Sequence, residues 1–101
     1  MRVHANLRKR LGDVRDEMAR LRDQLSVLDE QIAHQQGVAD EAATRAVVSS
    51  TPLADRERRI AEDDLRRTQR QREETGTRLA ELNEESDALL DRLLAQAGGD
   101  R

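Results

Sequence analysis

Residues 7–32, LRKRLGDVRDEMARLRDQLSVLDEQI, decide the fold of this chain. Apolar side chains recur there at alternating spacings of four and three residues. With Leu11 at position a of a heptad, they occupy positions a and d through four heptads. This spacing predicts an amphipathic helix that packs along one seam against another helix. The seam residues are Leu7, Leu11, Val14, Met18, Leu21, Leu25, Leu28 and Ile32.

The first helix is predicted to extend from about residue 3 to about residue 48. Beyond Ile32 the frame continues through small or polar residues, namely Gln35, Ala39, Ala42 and Ala46. The segment Val48-Ser49-Ser50-Thr51-Pro52 then breaks the pattern, and proline cannot donate the backbone hydrogen bond of a continuing helix. A turn is therefore predicted at about residues 49–51.

A second helix is predicted over about residues 52–97, followed by a tail at 98–101. Thr51 suits the N-cap, Pro52 the first helical position, and Gly98-Gly99 a helix stop. The leucines of this helix share one heptad frame, and more polar residues fill its other seam positions. The leucines are Leu65, Leu79, Leu82, Leu89 and Leu93, and the others are Thr68, Arg72, Thr75 and Ser86.

The two helices are predicted to form a long antiparallel coiled-coil hairpin, so the fold class is all-α. A turn near residue 50 places residue i opposite about residue 101 − i, because antiparallel helices of equal rise are level at equal distances from the turn. This register brings the leucine-rich halves together, with Leu25 and Leu82 in the densest part of the seam. It also sets the basic start of the chain beside the acidic end, which favours the same topology.

The composition limits what else the chain can be. Its 101 residues include no aromatic side chain, and 39% of them are charged. A thick globular core is excluded, but a thin seam between helices is not. No cysteine is present, and no apolar run is longer than the three residues of Ala46-Val47-Val48, so we expect a cytoplasmic protein without a membrane span.

The sequence indicates no enzyme, no cofactor and no metal site. His4 and His34 lie thirty residues apart on one helix and cannot share a metal ion. The acidic pairs are adjacent along a helix and diverge, and a two-helix rod has no pocket to perturb their pKa values. No Gly-rich phosphate loop occurs.

Nucleic-acid binding is the alternative from a different class. Residues 56–72 hold seven arginines and four acids, and the candidate contacts are Arg66, Arg67, Arg70 and Arg72. Acids interleave these arginines and no aromatic side chain is available to stack on bases, so a solvated coiled-coil surface explains them better.

Two resemblances bear on the turn. The segment TPLADRE, residues 51–57, resembles the turn of small uncharacterised coiled-coil proteins from actinobacteria, where a similar segment starts the second helix. The hairpin is also similar to the coiled-coil finger factors that enter the secondary channel of RNA polymerase, which carry acids at the finger tip. This resemblance implies, as part of the alternative, an RNA-polymerase-associated factor that uses the hairpin tip. Here Asp40, Glu41, Asp55 and Glu57 flank the turn, but the tip itself, residues 47–54, holds no acid.

The preferred interpretation is an interaction or structural protein that binds itself or another helical protein. Val47, Val48, Leu53 and Ile60 are the candidate contacts near the turn, although Val48 and Leu53 are expected to pack the hairpin's own end. Near the chain end, Leu90 and Leu94 widen the apolar arc beyond the a/d stripe and are expected to remain largely in water. A second copy covering them gives a homodimer, a four-helix bundle at the leucine-rich end.

Overall fold

The computed structural model describes residues 2–99, and they form two α-helices. Helix α1 runs from Arg2–Ser49 and helix α2 from Pro52–Gly99, with 48 residues in each. The prediction of two long helices in an all-α hairpin is confirmed, and residues 2–99 contain no strand. Helix α2 includes Gly98 and Gly99, which were assigned to the tail, whereas residues 100 and 101 of that tail lie outside the described residues.

The turn between the helices consists of Ser50 and Thr51. Ser50 has a φ of 50°, the left-handed conformation that commonly ends a helix, and its N–H donates to the Ala46 carbonyl oxygen at 3.0 Å. The Thr51 hydroxyl accepts a hydrogen bond from the Ala54 N–H at 3.1 Å. Thr51 is therefore the N-cap of α2, with Pro52 at the first helical position and Asp55 in the first turn.

Contacts between the helices divide the chain into two compact units. Unit 1 consists of Met1–Gln24 and Thr75–Arg101. Large aliphatic side chains from both helices form its core, and Leu82 is completely buried. The buried core residues are Leu7, Leu11, Val14, Met18, Leu82 and Leu89, and Leu21, Leu79, Leu90 and Leu93 pack against them.

Unit 2, Leu25–Glu74, contains the turn and a thinner core. Alanines supply much of that core: Ala39, Ala42 and Ala61 cluster with Leu65, and Ile32 packs against them. Buried Thr68 avoids an unsatisfied hydroxyl by donating to the Asp64 carbonyl oxygen at 3.2 Å. Unit 2 therefore forms as predicted from its small seam residues, with less apolar bulk between its helices than unit 1.

Ion pairs between the helices report the register within each unit. In unit 1, Arg10 Nε donates to Glu85 Oε1 at 2.8 Å, and Arg78 Nε lies 3.4 Å from Glu17 Oε1. In unit 2, Arg72 pairs with Asp29. The residue numbers of the pair in unit 2 add to 101, the predicted register, and those of the two pairs in unit 1 add to 95, six fewer.

A candidate protein-interaction face

Unit 2 exposes several large aliphatic side chains. Among the described residues, six of its large apolar side chains are exposed by 41% or more. These are Val27, Val38, Val47, Val48, Leu53 and Ile60. Single exposed aliphatic residues are ordinary, so what matters is whether these six lie together on one surface.

Heptad positions show that five of these six side chains lie on one side of the helix pair. With Leu11 and Leu65 at position a, Val38 falls at g, and the other four fall at c. Antiparallel helices turn their g positions to the same side, as the g-to-g pairs Arg10–Glu85 and Glu17–Arg78 of unit 1 illustrate. Position c is the next position outward on that side. We call Val27, Val38, Val48, Leu53 and Ile60 the apolar face.

Members of the apolar face on α1 lie level with, or close to the level of, members on α2. Because the helices leave the turn in opposite directions with equal rise, Val48 is level with Leu53 and Val38 is level with residues near Ile60. Val48 is 80% exposed and Leu53 is 66% exposed. The face therefore starts beside the turn and continues along both helices of unit 2, and Val47, at position b, points away from it.

The charges on this side of unit 2 are of mixed sign. Its c and g positions hold the acids Glu41, Glu57, Asp64 and Glu74 and the bases Arg45 and Arg67. Arg67 pairs with Asp64 along α2, and the pair is exposed. Glu57 makes no ion pair or side-chain hydrogen bond with any residue in the part of the chain that the structure describes. The apolar face is thus bordered by charges of both signs with an excess of acids, and Glu57 is one of the carboxylates there that are free to pair.

Two expectations about individual residues are wrong. Val48 and Leu53 were expected to pack the hairpin's own end, but both project into solvent. Leu90 was expected to remain largely in water, but it is partly buried and packs against the core of unit 1, while Leu94 is 70% exposed. Leu90 and Leu94 therefore do not form a continuous exposed stripe.

The arginines proposed as nucleic-acid contacts are largely neutralised by carboxylates of the same unit. Arg66 pairs with Asp63, Arg67 with Asp64, and Arg72 with Asp29. Arg70 has no ion pair within residues 2–99. These pairs are solvent-exposed, so each is weak and open to exchange, yet together they reduce the charge that four free guanidinium groups would present.

Ion pairing also accounts for the lowered pKa of a carboxyl group near the turn. Arg58 donates from Nη2 to Asp55 Oδ1 at 2.8 Å and from Nη1 to Glu62 Oε2 at 2.8 Å. The hydrogen bond from Arg58 holds the pKa of Asp55 below its ordinary value. The cause of this shift is therefore an ion pair between residues of one helix, of the kind found on solvated helix surfaces.

Neither histidine takes part in a metal-binding arrangement within the described residues. No group of three or more His, Asp or Glu side chains there is placed to hold a metal ion. Across residues 2–99, neither helix has an apolar segment of the length needed to cross a bilayer.

Val27 and Val38 are the members of the face that were not identified from the sequence. They lie outside the a/d seam at positions c and g, on the same side as Ile60. Assigning every off-seam aliphatic residue to a heptad position would have found them.

Searches against protein-family models, curated proteins and solved structures returned no significant match to this chain.

Proposed function

We propose that this protein is a non-enzymatic coiled-coil interaction module whose apolar face packs against a helical surface of a protein. The observation that supports the proposal is the alignment of five exposed aliphatic side chains on one side of unit 2. Complete burial of a Val, Leu or Ile side chain contributes about 1.5–3 kcal/mol, so covering even part of the face provides substantial binding energy.

The chemistry of the face favours a protein over a nucleic acid. Its side chains are aliphatic and cannot stack on bases, and the chain contains no aromatic residue that could. The neighbouring charges are of both signs, whereas a phosphate backbone attracts a surface with excess positive charge. Rows of aliphatic residues with a mixed-charge border are what one helix presents to another.

The experiment that tests the proposal is site-specific photo-crosslinking in cell lysate. Because the chain has no cysteine, Leu53→Cys introduces a unique attachment point for a benzophenone maleimide. Ala33→Cys is the matched control, since Ala33 is exposed on α1 of unit 2 at position b, on the other side. We expect the probe at position 53 to form a discrete protein adduct, whose second component is identified by mass spectrometry and re-tested as a purified protein.

Two results contradict the proposal. Equal adduct yields from positions 53 and 33 would mean that the apolar face has no preferred contact. Adducts at position 53 that disappear after nuclease treatment would instead favour the nucleic-acid function. A self-adduct of the chain counts as a protein contact and supports the module.

A further inference from the structure

We infer that the occupant of the apolar face is a second copy of this chain, related to the first by a two-fold axis beside Ile60. The inference rests on the proposed function and adds the identity and the geometry of the partner. It moves self-association away from the leucine-rich end, where Leu90 is already packed in its own unit.

Surface area supports a partner of this size. The chain exposes 7461 Å². A compact monomer of 11.5 kDa exposes only roughly 5,800 Å², so the chain carries an excess of about 1,700 Å². A specific interface of standard size covers about 800 Å² on each partner. Covering one side of a helix pair with another helix pair therefore removes an area of the right order.

The charges around Ile60 are arranged so that the face complements itself. If two α2 helices cross antiparallel with both Ile60 side chains at the axis, Arg67 of one copy is level with Leu53 of the other. Glu57 of that other copy lies about one helical turn from its Leu53. It lies in the direction in which the Arg67 side chain leans, because a helical side chain leans towards the N-terminus of its own helix. The Arg67 stem covers Leu53 while its guanidinium reaches Glu57, and symmetry makes this contact twice.

Both charged residues are available for that exchange. Glu57 has no partner within the described chain, and Arg67 is held only by the exposed pair with Asp64. An exposed pair of this kind contributes little, so releasing it costs little. On α1 of each copy, Val38 and Val48 extend the contact on either side of the axis, and two helix pairs form a four-helix layer.

The core of unit 2 gives a physical reason for a second layer. Three alanines occupy the buried cluster of unit 2 beside Leu65 and Ile32, whereas five aliphatic side chains of the same unit remain exposed. Pairing two copies face to face buries these side chains and gives each helix of unit 2 a second apolar contact. Unit 2 thus carries large aliphatic side chains outside its seam as well as inside it, and a second copy would cover the outer ones.

The first test is the mass of the intact chain in solution by light scattering, from micromolar to millimolar concentration. We expect twice 11.5 kDa for the wild-type chain and 11.5 kDa for Leu53→Asp with Ile60→Asp. Leu94→Asp, which alters an equally exposed leucine in unit 1, should keep the dimer mass. Circular dichroism verifies that each variant is helical, and the milder Leu53→Ser with Ile60→Ser replaces the Asp pair if that variant unfolds.

The second test exchanges the charges of Glu57 and Arg67. Only a direct contact between these two residues predicts that the exchange restores dimerisation. Glu57→Arg alone places a positive charge of one copy opposite Arg67 of the other, at both symmetry-related contacts. The repulsion should weaken dimerisation about tenfold. Adding Arg67→Glu reverses both charges and should restore the wild-type dissociation constant. A double variant as weak as the single one would contradict the geometry beside Ile60.

The outcomes separate this inference from the proposed function. A wild-type mass of 11.5 kDa at every concentration overturns the second copy as occupant. If position 53 still crosslinks to a different protein, the interaction module stands with that protein as its partner. A dimer that survives Leu53→Asp with Ile60→Asp but is lost in Leu94→Asp overturns the inference in favour of the leucine-rich end.

Discussion

Arg72 occupies a seam position of α2, and its guanidinium group reaches across unit 2 to the carboxylate of Asp29 on α1. Nη2 donates to Asp29 Oδ2 at 3.4 Å, and Nε makes the closer contact, to Oδ1. Both side chains are about half exposed, so the arginine leaves the seam instead of burying its charge. The pair therefore links the two helices at a seam position of α2 that holds no apolar side chain.

The Arg72–Asp29 pair predicts a pH dependence of stability. The hydrogen bond from Arg72 lowers the pKa of Asp29 below its ordinary value in the folded chain. The stabilisation is therefore complete above that ordinary pKa and is lost as the pH falls towards the lowered one. We expect NMR titration to give Asp29 a lower pKa in the wild-type chain than in Arg72→Met. An unchanged Asp29 pKa in Arg72→Met would show that the pair does not persist in solution.

Leu82 and Leu25 were both predicted to lie in the densest part of the seam, but their environments differ. Leu82 is 0% exposed in the core of unit 1, whereas Leu25 is partly buried and lies outside both core clusters. We expect Leu82→Ala to lower the free energy of unfolding by about 2–5 kcal/mol and Leu25→Ala by clearly less. Urea denaturation measures both. Equal losses would mean that Leu25 is as well packed as Leu82.

The N-cap of α2 is a separate contribution to stability. The Thr51 hydroxyl accepts the Ala54 N–H, which otherwise has no partner at the start of the helix. Thr51→Ala should lower the free energy of unfolding by about 1 kcal/mol, and Thr51→Ser, which keeps the hydroxyl, should lower it much less. Chemical denaturation distinguishes the two variants. A serine variant as unstable as the alanine variant would assign the loss to the threonine methyl group.

Gln35 is a position where the seam can be improved. It occupies a d position of unit 2, and its side-chain Oε1 is buried without a hydrogen-bond partner among the described residues. Gln35→Leu should therefore raise the free energy of unfolding by about 1–2 kcal/mol. Gln36→Leu is the control, because exposed Gln36 already donates to Asp40 Oδ1 at 3.0 Å. A gain in the control and none at position 35 would contradict the assignment.

The fold was predictable because one pattern, the heptad, governs nearly every residue of both helices. Leu7 through Ala46 on α1 follow a single frame, and each of these seam residues is buried or partly buried. The turn was equally predictable from the sequence, since Pro52 cannot continue α1 and Thr51 can cap α2. Ser50 in the left-handed region was not foreseen, because serine has no special preference for that conformation.

The candidate site was only partly predictable for a physical reason. Ile60 is off the seam and is exposed as expected, but Val48 and Leu53 were assigned to the end of the hairpin by their nearness to the turn. Their side chains point away because position c is turned from the partner helix, however close the turn lies. For Leu90, adjacency to the seam at position e was enough to bring it into the core of unit 1.

The final prediction concerns Val48→Ser with Ile60→Ser and uses concentration to separate packing within a chain from packing between chains. Both side chains are at least half exposed in the single chain, so the dilute double variant should melt within a few degrees of the wild type. If two copies pair through the apolar face, the wild-type Tm rises with concentration and the variant's rises much less. Circular dichroism melts over a wide concentration range measure both, with Leu94→Ser as the exposed control that should follow the wild type. A large drop in Tm already at the lowest concentration would make Val48 and Ile60 core residues of the single chain, and parallel slopes for wild type and variant would place the contact between copies elsewhere.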